Sequence, residues 1–390
     1  MQKKKVLVII PDRFQRASGG MGANAAPVFE LLSSKYGYEF YVVGFPLGGT
    51  AAPGFVVGYH EVFSPYTETK FGPLDTLLAQ AHYFAEAISF PKPNLVYAYD
   101  WSVYQAASET ADFFNVPLVV RMSLSPVLLA QEGYTFGLNL NVPAERAIHS
   151  ALCEMEVRGL GRADRVVQIS QAYAAQHQKV LPFAKKTRLV RNGIDFEKWN
   201  EKRREEKPYV LPGGKGRVKI VFLGRFAEVK GVLPLCDARV PKEVDLIFIG
   251  PKDGVSPTCL QAIKEKVSRE HNVYMLDALY DADKIRALRA ADALIVPSLH
   301  EPFGTVGLEG LAAGCTVLSS RAGGLADYLT DETSIFCGTN KESIKAAHQT
   351  LLTLLSKQKE TIREAGFAVC RQLTLEASAA GLDLVFREVV

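Results

Sequence analysis

Residues 293–310 read ALIVPSLHEPFGTVGLEG, and this is the most informative stretch of the chain. It begins with an apolar run of strand length, and Pro302 then fixes the backbone before a helix that we expect to begin near Thr305. Glu301 and Glu309, with seven residues between them, stand on either side of that helix start. The unpaired amides of residues 303–306 and the positive end of the helix dipole favour an anion such as a diphosphate. This order of strand, turn and helix is typical of an α/β fold.

Two series of alternating strand and helix patterns surround this stretch, which predicts two parallel sheets rather than one. The first series has strand patterns at residues 6–10, 40–43, 95–99 and 118–121. The second series has them at residues 166–169, 219–223, 245–249, 273–276, 294–297 and 317–319. We place the domain boundary after residue 162 and interpret the charged, glycine-rich residues 200–216 as an exposed loop inside the second domain.

Composition narrows the function classes without selecting one. The chain has 390 residues and 48% hydrophobic content, enough for two ordinary α/β domains. Its 45 basic and 42 acidic residues leave a net charge of only +3, so no electrostatic footprint for nucleic acid is present. The first apolar run spans five residues, too few for a signal peptide, and no apolar stretch approaches the length of a membrane span. Six scattered cysteines without a Cys-x-x-Cys pair predict a reduced, cytoplasmic protein without structural zinc.

Two cations follow the predicted strand at residues 219–223. Arg225 offers a planar fork and Lys230 a point charge, a useful pair for two linked phosphates. Because ligands of open parallel sheets bind at the carboxyl ends of the strands, both cations can reach a diphosphate at the helix start near Thr305. Either cation alone is typical of a charged surface turn, so the prediction depends on the ordered set.

The glycines at residues 19–22 allow the backbone to pass close to a ligand. Gly20 and Gly22, with Ala25, also fit a Gly-x-Gly-x-x-Ala dinucleotide fingerprint. Eight residues separate Ile10 from Gly19, too many for the tight turn that NAD needs, and the next strand ends without the ribose-binding acid. A plain flexible turn remains the alternative interpretation.

Several segments in this order resemble the retaining glycosyltransferases of the GT-B fold, specifically family 4 and the related bacterial and archaeal glycogen synthases. The hallmark is the Glu-Pro-Phe-Gly segment that starts at Glu301 and ends with Glu309. The other matching segments are residues 163–170 (ADRVVQIS), 190–195 (VRNGID), 220–226 (IVFLGRF), 230–231 (KG), 245–251 (DLIFIGP), 290–293 (AADA), 312–317 (AAGCTV) and 322–325 (AGGL). The N-terminal part matches mainly through residues 19–22.

The resemblance implies two Rossmann-like parallel-sheet domains that face a cleft. It implies an acceptor domain at residues 1–162, a nucleotide-sugar domain at 163–372, and a last helix at 373–390 that crosses back to the first domain. It places the transferred sugar near Glu301, the donor diphosphate on Arg225 and Lys230, and the ribose on Glu309. The residues that it implies at the donor phosphates or sugar are Gly20, Gly22, Phe303, Gly304, Thr305 and Val306.

On the acceptor side, the sequence departs from the family at two positions. Asp100-Trp101 resembles the His-Asp-Trp segment of glycogen synthases with Tyr99 in place of the histidine. Ser123 occupies the position after the strand at 118–121 where the family usually has a histidine near the anomeric centre. We therefore predict Asp100, Trp101 and Ser123 as acceptor-side residues. A front-side transfer depends more on charge stabilisation than on a general base, so Ser123 does not abolish the mechanism.

Asp281 and Asp283 match the Asp-x-Asp metal motif of the other large glycosyltransferase fold. They precede a helical pattern, where aspartate is favoured as an N-terminal cap, and we predict a capping role rather than a metal site. Donor charge would instead be neutralised by Arg225, Lys230 and backbone amides. No cofactor is expected besides the nucleotide-sugar, which is a substrate.

The resulting expectation is a metal-independent, retaining glycosyltransferase that moves a hexose from a UDP- or ADP-sugar to a hydroxyl of a sugar, glycan or other acceptor. One alternative is a catalytically inactive GT-B protein that binds sugars or acts as a scaffold, which the missing histidine favours. A nucleotide-sugar 2-epimerase of the same fold is a third. No feature indicates nucleic acid or membrane contact, and oligomeric state, acceptor and donor base stay open.

Overall fold

A computed structural model describes residues 3–12, 21–47, 51–63, 72–181, 183–200, 209–252, 255–354 and 356–390, without the side chains of 21–24. The chain forms two compact units. Unit 1 contains Met1–Arg191 and Leu375–Val390, and unit 2 contains Asn192–Thr374. Each unit is an α/β structure built on one parallel sheet.

Within its described residues, unit 1 has a sheet of seven strands in the order β3-β2-β1-β4-β5-β6-β7, and every pairing is parallel. The strands are β1 Lys4–Ile9, β2 Tyr38–Gly44, β3 Val56–Glu61, β4 Leu95–Ala98, β5 Leu118–Met122, β6 Arg165–Gln168 and β7 Thr187–Leu189. The helices are α1 Met21–Tyr36, α2 Pro73–Ile88, α3 Tyr104–Phe114, α4 Pro126–Gln131, α5 Pro143–Arg162, α6 Gln171–Gln178 and, from the C-terminal segment, α14 Leu375–Arg387.

The central strand β1 explains why this sheet is covered on both faces. Successive side chains of a strand point to opposite faces. Leu7 and Ile9 enter one apolar core, while Val6 and Val8 enter another, and all four are fully buried. A continuous apolar run is therefore what a central parallel strand requires.

Helix α14 packs on α1 and is fastened to unit 1 by polar contacts. The Tyr38 hydroxyl donates to the Asp383 carboxylate at 3.0 Å, and the Phe386 ring packs against the rings of Tyr38 and Tyr97. Arg188 and Arg165 donate to Glu388 at 2.8 and 2.6 Å, and these hydrogen bonds lower the pKa of the Glu388 carboxyl to about 2.

In its described part, unit 2 has a sheet of six strands in the order β10-β9-β8-β11-β12-β13, again parallel throughout. The strands are β8 Val218–Leu223, β9 Val244–Ile249, β10 Val273–Leu276, β11 Ala293–Val296, β12 Thr316–Ser319 and β13 Ser334–Phe336. The helices are α7 Phe196–Asn200, α8 Val232–Asp237, α9 Pro257–Arg269, α10 Asp281–Arg289, α11 Thr305–Ala313, α12 Lys341–Thr353 and α13 Ser356–Gln372. In the part of the chain that the structure describes, no helix is both long and apolar enough to cross a membrane.

The division between the units lies after Arg191 and not after residue 162 as the sequence predicted. The strand predicted at 166–169 to open the second sheet is β6, which pairs with β5 and continues the first sheet. Strand β7 follows it there. An apolar strand pattern is the same in either sheet, so the sequence could not assign β6 to its sheet.

Candidate functional site

The loop from β11 to α11 carries the two glutamates and is held rigidly. Gly304 caps α11 with a φ of 86°, and the Tyr328 hydroxyl donates to its carbonyl. Phe303 is buried against the Tyr328 ring, with centroids 5.4 Å apart. A Cβ on Gly324 would lie 2.2 Å from the Pro302 carbonyl oxygen, so that position has room only for glycine. Helix α11 begins at Thr305, as predicted, and presents its N-terminus beside Glu301.

Glu301 is a buried carboxylate with one oxygen already engaged. Its exposed fraction is 7%, and the Lys230 ammonium donates to Oε2 at 2.6 Å. The Ser298 hydroxyl donates to the same oxygen at 3.4 Å, and the Gly324 amide donates to the Glu301 carbonyl at 2.8 Å. The carboxylate is thus held by Lys230 and by Ser298 of its own loop, while Gly324 holds the Glu301 backbone.

Lys230 reaches Glu301 because the turn after β8 fits against the loop after β11. Lys230 ends a 3-10 helix, and Gly231 follows with a φ of 71°. A Cβ on Gly231 would lie 1.9 Å from the Pro297 carbonyl oxygen. The Val229 carbonyl accepts from the amides of Leu299 and His300 at 2.8 and 3.2 Å. Gly231 is therefore required both by its backbone angle and by the close approach of the two loops.

Arg225 follows the same strand and differs from Lys230 in its surroundings. Its side chain is half-buried, and no described residue forms an ion pair or hydrogen bond with its guanidinium. The two cations that we predict to bind phosphate thus differ in their hydrogen-bond and ion-pair partners. Lys230 is paired with a carboxylate, whereas Arg225 has no such partner among the residues that the structure describes.

Glu309 is also a buried carboxylate, and it has a cation of its own. Its exposed fraction is 9%, and the Lys284 ammonium donates to Oε1 at 2.6 Å. Lys284 also lies over the Trp199 ring, 5.4 Å from the centroid. Sequence reasoning missed both partners, because Lys284 and Trp199 stand in helices α10 and α7 at ordinary positions without a motif. The carboxylates at the start of α10 were the one sequence feature that could have drawn attention to Lys284.

Asp281 and Asp283 do not cap α10, contrary to the prediction. The capping position is Tyr280, without a side-chain hydrogen bond, and Asp281 is the first helical residue with a φ of 46°. Asp283 pairs with Arg286 one turn on. Among the described residues, no group of three or more histidine, cysteine, aspartate or glutamate side chains is placed to hold a metal ion.

In unit 1, the structure brings Asp100 and Ser123 together at the ends of β4 and β5. Asp100 is 5% exposed, and Oδ1 accepts from the Ser102 amide at 3.1 Å and the Ser102 hydroxyl at 2.8 Å. The Ser123 hydroxyl also hydrogen-bonds to the Asp100 side chain, and burial raises the pKa of the Asp100 carboxyl to about 6. Arg121, missed from the sequence, is buried beside them with its guanidinium 4.3 Å from the Tyr99 ring centroid. A charged residue inside a predicted strand was the signal for it.

Trp101 is mostly packed against protein. Its ring lies 6.0 Å from that of Phe136, which in turn contacts Tyr134 and His149. Phe136 has a φ of 56°, uncommon for a bulky residue. Gly22 lies in the backbone of α1, and Gly20 lies outside the described residues, so the glycine loop stays a prediction.

The chain is similar to several known proteins. The family model described as glycosyl transferases group 1 matches residues 203–366, a range that contains Arg225, Lys230, Glu301 and Glu309. Across the whole chain, the solved structure of sucrose-phosphate synthase from Thermosynechococcus elongatus superposes with a TM-score of 0.80, at 18% identity and 99% coverage of each chain. HepE from Anabaena, in complex with UDP-glucose, gives a TM-score of 0.70 at 17% identity and 98% coverage of each. Residues 203–366 thus match the group 1 glycosyl transferase model, and the chain has a GT-B fold.

Curated relatives of this GT-B protein are distant. A glycogen synthase from Mycobacterium tuberculosis is 27% identical over 255 residues, which are 63% of this chain and 56% of the relative. An alpha-maltose-1-phosphate synthase from the same organism is 29% identical over 326 residues, 80% of this chain and 79% of the relative. The chain therefore spans little more than half of the glycogen synthase that it matches. Asp100, Trp101 and Ser123 lie outside the residues that the family model matches.

Proposed function

We propose that this GT-B protein is a retaining glycosyltransferase that moves a hexose from a UDP- or ADP-sugar to a hydroxyl of a sugar or glycan. The observation that carries the proposal is the ion pair between the buried Glu301 and Lys230 at the start of α11, with Arg225 following the neighbouring strand β8. Support for the donor class comes from HepE, solved with UDP-glucose, and from starch synthase IV of Arabidopsis thaliana, solved with ADP and acarbose.

The proposed reaction breaks the bond between the anomeric carbon and the diphosphate oxygen. The acceptor oxygen bonds to the same face of that carbon, and its proton passes to the departing phosphate oxygen. Arg225, Lys230 and the N-terminus of α11 stabilise the negative charge that develops on the diphosphate. Glu301 stabilises the positive charge that develops on the sugar, and its burial strengthens this interaction.

Unit 1 supplies the acceptor side in this proposal. Asp100 would accept hydrogen bonds from acceptor hydroxyls, and Ser123 holds that carboxylate in place of the histidine usual in the family. Arg121 is buried beside Asp100, and its charge favours the ionised carboxylate. The proposal therefore gives Ser123 and Arg121 positioning roles and leaves contact with the acceptor to Asp100.

Release of free nucleoside diphosphate tests the proposal. UDP- and ADP-sugars should be consumed faster when a sugar acceptor is present, and glycosylated acceptor should form in equal amount. A protein that binds these donors but releases no diphosphate with any acceptor would be an inactive sugar-binding protein. Conversion of one nucleotide-sugar into another without acceptor would identify an epimerase.

Activity should survive removal of divalent ions with EDTA. The reason is that the proposal gives the diphosphate Arg225, Lys230 and the N-terminus of α11 as partners, so that the charge of the leaving group is met by the protein. Initial rates with EDTA, and with magnesium or manganese added back, provide the measurement. Complete loss with EDTA and full recovery with metal would contradict this and return attention to Asp281 and Asp283.

The Michaelis constant for the acceptor should fall as the pH rises through about 6. Burial raises the pKa of the Asp100 carboxyl to about 6, and only the ionised form accepts two hydrogen bonds from hydroxyls. Asp100→Asn should have a higher Michaelis constant for the acceptor above pH 6 and no inflection there.

The same residue predicts an opposite trend in stability. A raised carboxyl pKa means that the folded state binds the proton more tightly than the unfolded state, so this stabilisation is complete at pH below about 4 and is lost as pH rises through about 6. Asp100→Asn should therefore gain stability relative to the parent over that range. Parallel pH profiles in the two proteins would exclude Asp100 as the titrating group.

A further inference from the structure

Lys284 connects three elements of unit 2 around the Glu309 carboxylate. It stands in the first turn of α10, donates to Glu309 of α11 at 2.6 Å, and lies over the Trp199 ring of α7. Trp199 is buried, and its carbonyl accepts from the Arg289 guanidinium at 2.8 Å. Because this hydrogen bond joins α10 to α7, it fixes the position of the Trp199 ring beside Lys284.

The ion pair leaves Glu309 with one oxygen to offer. Lys284 occupies Oε1, and no described residue donates a hydrogen bond to Oε2. The carboxylate side chain keeps 11% exposure, so Oε2 is not sealed from solvent. A buried carboxylate is costly unless a cation and hydrogen bonds compensate it, and Lys284 supplies the cation here.

We propose that Lys284 is a positioning residue that gives the nucleotide site its preference for ribose over deoxyribose. This inference rests on the proposed function, in which Glu309 meets the ribose of the donor. The Lys284 ion pair fixes the carboxylate so that Oε2 accepts a hydrogen bond from one ribose hydroxyl. A nucleotide without that hydroxyl leaves a buried, charged acceptor without its partner, which is the strongest form of discrimination by hydrogen bonding.

Trp199 contributes by holding the ammonium group between a carboxylate and an aromatic face. A lysine has many rotamers, and the cation–π attraction to the ring limits them. Arginine at position 284 could still pair with Glu309 and stack on Trp199, because its planar fork suits both partners. Methionine keeps the apolar contact with Trp199 and removes the charge.

The experiment measures affinities for UDP and ADP and for their 2′-deoxy and 3′-deoxy forms by calorimetry. The parent protein should bind the better of the two ribonucleotides roughly tenfold to a hundredfold more tightly than one of its two deoxy forms. Lys284→Met should reduce that ratio to about threefold or less, mainly by weakening binding of the ribonucleotide, because the Glu309 carboxylate is no longer held where it accepts from the ribose hydroxyl. Lys284→Arg should retain most of the ratio, and Lys264→Met, which changes an exposed lysine of α9, should retain all of it.

Turnover gives a second readout that a purely structural role would not produce. The ribose is chemically unchanged in the reaction, so Lys284→Met should raise the Michaelis constant for the donor more than it lowers turnover at saturating donor. Lys284→Met with an unchanged ribose-to-deoxyribose ratio would overturn the inference, as would a parent protein that binds nucleotides without any such preference. A parent protein that binds no nucleotide would overturn the proposed function itself, and the inference with it. If Lys284→Met does not fold, Glu309→Gln, whose side chain has the same volume, replaces it. The inference then stands only if Glu309→Gln loses the preference for the ribonucleotide over its deoxy form.

Discussion

Replacing Glu301 with glutamine should lower turnover on the order of a hundredfold and leave nucleoside diphosphate affinity unchanged or slightly tighter. Glutamine keeps the shape of the side chain and removes the negative charge beside the anomeric carbon, where positive charge develops in the transition state. The change also releases Lys230, which is paired with Glu301 in the structure, to interact fully with phosphate. Loss of turnover without loss of nucleotide affinity would identify an interaction made in the transition state alone.

Steady-state kinetics with calorimetry of the free diphosphate would measure both effects. Glu332→Gln is the matched control, because it makes the same chemical change at an exposed site. A Glu301→Gln protein with normal turnover would remove Glu301 from the chemistry. A loss of nucleotide affinity equal to the loss of turnover would instead assign Glu301 to donor binding.

Removing either phosphate-binding cation should weaken nucleoside diphosphate binding about tenfold to a hundredfold, because each loses a charged hydrogen bond worth roughly 1.5 to 3 kcal/mol. The two variants should differ in stability. Lys230→Met leaves the buried Glu301 without its cation, a change that costs about 3 to 5 kcal/mol for a fully buried pair and less here, since Lys230 is 24% exposed. Arg225→Met breaks no ion pair with any residue of the described ranges and should change the free energy of unfolding by roughly 0.5 kcal/mol or less.

Thermal unfolding without ligand, combined with diphosphate titrations, separates the two contributions. The double variant Lys230→Met, Glu301→Gln should recover stability, because no buried charge is left without a partner, and should still bind diphosphate weakly. Unchanged diphosphate affinity in both Arg225→Met and Lys230→Met would move the donor site away from this strand end. Equal stability losses in the two single variants would contradict the role of the Glu301 ion pair.

The parts of the fold that sequence could predict are those set by local chemistry. The buried part of strand β1 is apolar throughout, β9 ends in four buried apolar residues, and α11 begins at Thr305 because Pro302 and Gly304 leave few other conformations. The three-residue strands β7 and β13 carry too short a pattern, and β3 is only partly buried, so none of these was predicted. Edge strands have one neighbour, and their sequences are correspondingly less constrained.

In the site, as in the fold, local sequence predicts the individual residues but not their tertiary contacts. Glu301, Glu309, Arg225 and Lys230 could be selected from spacing and resemblance, and the structure joins Glu301 to Lys230 across 71 residues. Which cation pairs with which carboxylate depends on how loops from different strands meet, and no local pattern encodes that. The same holds for Lys284 and for Arg121, whose importance follows from the side chains around them.

Helix α14 affects the order in which the two units can complete their folding during translation. Unit 1 needs residues 375–390 to cover the face of its sheet that contains Tyr38 and Tyr97, and the whole of unit 2 precedes them in the chain. During translation, unit 2 can fold before Asp383 and Phe386 of α14 have been synthesised, so the sheet of unit 1 still lacks these contacts. Nascent unit 1 therefore exposes an apolar surface for as long as the ribosome takes to translate roughly 180 further residues, about 10 to 40 seconds at ordinary elongation rates. Chaperone dependence should concentrate in that interval.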